Sequence, residues 1–131
     1  MAVPWYIGTM VTIEAFESCD VDEFHHADHI QLAWLYLREL PLLAAIERFT
    51  TALKRFALSK GVPGLYHETI TWAYLFLIHE RMNGEQSFDE FRAANGDLFT
   101  WKPSLLDSYY RAETLQSERA RRVFVMPDRV A

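Results

Sequence analysis

The chain has 131 residues, half of them hydrophobic and 15% aromatic, with 18 acidic against 13 basic side chains for a formal charge of −5. That is material for one domain with a real core, and an acidic balance with no basic stripe before residue 110 argues against nucleic acid as a partner. One cysteine, Cys19, rules out an internal disulfide. The start lacks a basic region followed by an apolar run, and the apolar stretch in the seventies is interrupted by His79, Glu80 and Arg81, so a soluble, cytoplasmic protein with no membrane partner is expected.

Residues 3–16 are β-branched and aromatic, broken by Pro4 and Gly8, with no second strand to pair with. Residues 1–17 are therefore expected to form an extended arm that packs on the domain or on a second copy, which raises a homodimer as a candidate assembly. Ser18 or Asp20 as N-cap predicts a first long helix running to about Glu39, where Pro41 disfavours helical geometry at Leu40. Turning about 100° per residue, this helix gathers Glu23, Ala27, Gln31, Trp34 and Arg38 on a wet side. Its inward stripe carries His25, His26, His29, Leu32, Ala33, Tyr36 and Leu37.

A second helix over 42–60 puts Leu43, Ile46, Phe49, Leu53 and Phe56 at core spacing and stops at Gly61. The short Val62-Pro63-Gly64 connection implies an antiparallel return into a third helix over 66–82, apolar nearly all round as a central helix would be. Thr69, Glu80 and Arg81 mark its wetter side, and Glu68, Thr71, Trp72, Leu75 and His79 its buried side. Ser87 with Glu90 forms a capping box for a short helix ending near Asn95-Gly96. Pro103 opens another, carrying Leu105, Leu106, Tyr109 and Tyr110, and a last one covers Glu113 to about Val123, before an irregular tail over 124–131. The expected fold is all-α: residues 1–131 as a single-domain helical bundle of three long helices and shorter C-terminal ones.

Three of the five histidines fall within five positions of the first long helix. A buried imidazole needs partners for both ring nitrogens, so something polar must face them. His25 and His29, four residues apart, have the spacing of two ligands to one metal, and His67 and Glu68 at the opening of the third helix would add a nitrogen and a carboxylate. The expected centre is iron, zinc or manganese on His25, His29, His67 and Glu68, activating water or dioxygen on a small-molecule substrate with Glu68 as general base. Around it, His26 and Thr71 are expected in the pocket, Asp28 behind a ligand imidazole, and Tyr36, Trp72 and Tyr74 as cavity walls. His79 is left out, since it lies about 18 Å along the helix axis from His67.

Two other readings fit the same residues. One is a non-catalytic helical interaction module, dimeric, in which the histidines and Glu68 form a structural hydrogen-bond cluster. The other is a metal-free pocket where His29 and Glu68 act as an acid–base pair on a bound organic ligand. Arg119, Arg121 and Arg122 suit either a bound anion or a solvated helix end offsetting its dipole. No glycine-rich phosphate loop, Gly-x-Ser-x-Gly, Cys-x-x-Cys or His-Glu-x-x-His motif occurs. A helical bundle with histidine ligands resembles in outline the DinB-like and haem-oxygenase-like di-iron proteins, but their ligand spacing across helices is not reproduced, and membership of neither is assigned.

Overall fold

The computed structural model describes residues 11–129, and every regular element among them is helical. In order these are α1 (Ile13–Glu17), α2 (His26–Glu39), α3 (Leu42–Ser59), α4 (Glu68–Arg81), α5 (Phe88–Ala94), α6 (Ala112–Leu115) and α7 (Glu118–Arg122). Single 3₁₀ turns occur at Pro63–Leu65, Gly96–Phe99 and Leu105–Ser108. None of these helices is long and apolar enough to cross a membrane.

The predicted arm is corrected where it can be seen. Residues 1–10 lie outside the described residues, but 13–17 are helical because Thr12 caps them, its hydroxyl accepting from the Ala15 N–H at 3.1 Å. Phe16, fully buried, stacks at 5.2 Å on Phe24 and 5.9 Å on Phe49, which pins this turn to the core.

Helix α2 starts several residues later than expected. Ser18 closes α1 instead of opening α2, and Cys19 adopts a left-handed φ of 60° that ends helical continuity. The helix is restarted by Asp28, whose carboxylate accepts from the His25 N–H at 2.9 Å. At its other end Leu40 is extended (φ −132°, ψ 152°), as a residue before proline must be.

The wet side assigned to α2 is also corrected: Trp34 is 2% and Gln31 7% exposed. The short helix α5 covers Trp34, with Phe88 and Phe91 rings 5.4 and 6.3 Å from it and the Arg38 guanidinium 4.9 Å from its ring.

In α3 the core stripe is Ala45, Ile46, Phe49, Ala52 and Phe56, whereas Leu43, expected inside, is 77% exposed. Lys60 caps the helix and Gly61 turns the chain at φ 76°, a value that favours glycine. Helix α4 packs against α2, α3 and α7.

Thr69, expected on the wetter side of α4, is fully buried because the C-terminal segment crosses it. Its hydroxyl donates to the Val123 carbonyl at 2.8 Å and accepts from the Val125 N–H at 3.1 Å. His79, expected inside, is exposed.

The C-terminal third is more broken than its pattern suggests. Ser104, not Pro103, caps a single 3₁₀ turn, and Ser117 interrupts the last predicted helix by capping a separate α7. Of the tail over 124–131, residues 130 and 131 lie outside the described residues, and 124–129 have no regular structure yet are well tied. Tyr110 donates to the Val125 carbonyl at 2.6 Å, and Asp128 accepts from the Thr114 hydroxyl and, at 2.9 Å, from the Arg111 N–H. One hydrophobic cluster runs from Val11 and α1 through α2, α3 and α4 to Phe91, Leu98, Leu106 and Tyr110.

Candidate functional site

A cavity of about 900 Å³ opens where the start of α2, the end of α3 and the start of α4 converge. Phe24, His26 and His29 form one wall, Leu53 and Phe56 of α3 a second, and Ile70 and Thr71 of α4 a third. Tyr66 and Trp101 enter from connections, and Lys60 and Arg121 bring positive charge.

His29 sits one turn inside α2, with the rings of Phe49, Phe24 and Tyr74 at 5.3, 6.2 and 6.3 Å. Part of its side chain stays accessible, but Nε2 is shut off from solvent and has no hydrogen-bond partner. Burial first, and the neighbouring His26 second, push its pKa down to about 3, so the ring is neutral at physiological pH.

The other histidines are spoken for. His26 bonds through Nε2 to the Leu98 carbonyl at 2.8 Å and lies 4.9 Å from the Trp101 ring and 5.0 Å from Tyr74. Burial lowers its pKa, partly offset by the Leu98 bond. His25 is exposed, its Nε2 3.0 Å from Glu23.

His67 is 8% exposed and uses both nitrogens as a cap and a tether. Nδ1 accepts from the Ile70 N–H at 3.1 Å, which assigns the proton to Nε2, 2.7 Å from the Leu115 carbonyl. Burial is again the main cause of its lowered pKa.

The expected ligand set is therefore not assembled. His25, His29 and His67 all line the cavity, but His67 has no nitrogen left for a metal, His25 turns to Glu23, and Glu68 accepts from the Tyr66 hydroxyl at 2.6 Å. Among the described residues no three His, Cys, Asp or Glu side chains come together as a group able to hold an ion. These donors do not fit an iron, zinc or manganese centre.

Of the residues expected around the centre, His26 and Thr71 line the cavity, and the buried Thr71 hydroxyl donates to the His67 carbonyl at 2.7 Å. Asp28 caps its own helix rather than orienting an imidazole. Tyr74 supports the wall from behind, its ring against His26 and His29 and its hydroxyl 2.9 Å from Ser104. Tyr36 points elsewhere, donating to Glu17 at 2.8 Å, and Trp72 stacks on Phe124 at 5.7 Å.

Tyr66, Trp101 and Lys60 were not foreseen, because nothing in local periodicity marks a loop residue or a helix cap as facing a cavity. Arg121 belongs to the basic cluster noted in the sequence. Its Nη1 donates to the Gly64 and Tyr66 carbonyls at 2.6 and 3.3 Å, which carries α7 to the cavity mouth.

No family model, no curated protein and no solved structure matches the chain.

Proposed function

We propose that the protein binds a small, largely apolar organic molecule in this cavity, with neutral His29 as the polar anchor and no metal taking part. The observation that carries the reading is an imidazole in the cavity wall whose Nε2 is buried without a partner. Such a nitrogen costs about 1–3 kcal/mol relative to a satisfied one; as the ring stands it is closed to solvent, and a turn of the ring that brings it to the cavity surface lets a ligand hydroxyl or carbonyl recover that cost. Aromatic and aliphatic walls with a few polar groups, and a volume of about 900 Å³, suit a site for small molecules. A neutral ring favours an uncharged hydrogen-bonding group at that point over an ionic one.

Naphthol and naphthalene test the reading, since they differ only by the hydroxyl. Naphthol should bind saturably at one site per chain, unaffected by EDTA, and about 2- to 12-fold tighter than naphthalene, the worth of one hydrogen bond. His29→Leu should erase the difference, and Ala57→Phe, which fills one wall, should weaken both. Absence of saturable naphthol binding to the folded protein overturns the proposal. So does stoichiometric iron, zinc or manganese in untagged protein that is lost in His29→Ala, which would favour the metal centre instead.

A further inference from the structure

Resting on that reading of the cavity, we infer that its ligand is an amphiphilic organic anion. Its carboxylate would be received at the mouth by Lys60 and Arg121, and its apolar body would run inward past Phe56 and Ile70 towards His29.

Lys60 caps α3, and its Nζ is held 5.4 Å from the centroid of Phe56, itself a wall of the cavity. Arg121 approaches from α7 and is fixed by the Gly64 and Tyr66 carbonyls, which take only Nη1. Its remaining N–H groups have no partner among the described residues, and neither cation has a carboxylate within ion-pair distance there. The two charges thus flank the 60–66 connection that forms the lip. The second cavity, of about 440 Å³, differs: Arg48 lines it, but is already paired with the Glu17 carboxylate.

Among the described residues only one acid, Asp22, lines the main cavity. Two unpaired cations against one acid, in a chain of net charge −5, make the mouth a local exception to the sign of the whole molecule. A fixed guanidinium with free N–H groups suits a carboxylate, which accepts through both oxygens. The neutral His29 at the inner end suits the opposite pole of such a molecule, its apolar body with at most an uncharged polar group.

The test is displacement of bound naphthol by laurate, dodecanol and dodecyltrimethylammonium, three probes with the same chain and different heads. Laurate should act at roughly 5- to 20-fold lower concentration than dodecanol at low ionic strength, with the cationic probe weakest and the preference shrinking as salt is added. Lys60→Glu, a change at an exposed position, should remove most of the preference, read as the ratio of laurate to dodecanol potency within the variant, and Arg121→Gln should remove the rest. Equal action of laurate and dodecanol, or a cationic probe that acts best, overturns the inference and leaves the pocket reading standing. Failure of naphthol itself to bind removes the pocket reading first.

Discussion

Replacing His29 by leucine should stabilise the protein, and the gain should grow as the pH falls. Leucine fills a similar volume and has no nitrogen to leave unsatisfied, so at pH 8 the variant should be about 1 kcal/mol more stable than wild type. The acid effect follows from linkage. The imidazole titrates near 6.5 in the unfolded chain and near about 3 in the folded one, so below pH 6.5 the unfolded chain takes up a proton that the folded chain refuses. Stability tied to neutral His29 is therefore complete above pH 6.5 and declines as pH drops towards 3. At pH 5 the loss is about 2 kcal/mol for a fully enclosed ring, and partial exposure to the cavity brings it to about 1–2 kcal/mol. His67, also lowered by burial, acts in the same direction in both proteins and cancels in the comparison, whereas His26, its ring 6.3 Å from His29, is coupled to it and is held neutral in both by a second substitution, His26→Gln, in the background. Urea unfolding followed by far-ultraviolet circular dichroism at pH 8 and pH 5 reads the effect. A variant less stable than wild type by about 1 kcal/mol at pH 8, or one with an unchanged difference between the two pH values, would show that Nε2 is not the unsatisfied group inferred.

Glu17 accepts from Arg48 at 2.7 and 3.0 Å and from buried Tyr36 at 2.8 Å, so Glu17→Ala should cost about 1–3 kcal/mol in urea unfolding. Arg48 above all holds its carboxyl below the usual 4.5; that contribution is complete above pH 4.5 and is lost as pH falls through the lowered value, so Glu17→Gln should flatten the acid limb of the stability profile. His67→Ala removes a cap and the tether to Leu115 and should cost about 1–3 kcal/mol, with His67→Asn recovering the cap share alone. Deleting residues 123–131 strips Thr69 of both partners and uncovers Trp72, which should lower stability by at least about 2 kcal/mol and raise the solvent exposure of tryptophan fluorescence.

The all-helical fold was legible because α3 and α4 carry strong signals of their own, apolar spacing closed by Pro41 and Gly61 in one and an unbroken apolar run in the other. What misled was partnership across the chain. Trp34 looks solvent-facing by angle alone until the aromatic pair Phe88 and Phe91 comes to rest on it. Thr69 looks wet until the tail arrives. At the site, the inward turn of His29 was readable from periodicity, whereas the duties of His25 and His67 were not. Both sit at helix boundaries, where a shift of a few residues converts an interior position into a cap. Asp28 shows the same effect, a carboxylate beside histidines whose partner is its own helix terminus.

The buried hydroxyls of this core are consistently partnered: Tyr36 with Glu17, Tyr74 with Ser104, Tyr110 with Val125, Thr69 and Thr71 with backbone carbonyls. Against that background the exceptions carry information. Among the described residues they are the Nε2 of His29, the Nε1 of Trp72 and the Oε1 of Gln86. Of the three, His29 alone lines the large cavity. A side chain that leaves a buried nitrogen unsatisfied, and whose burial disfavours its charged form, is one whose presence packing alone does not explain. The wall it stands in is the place to look for the molecule that does.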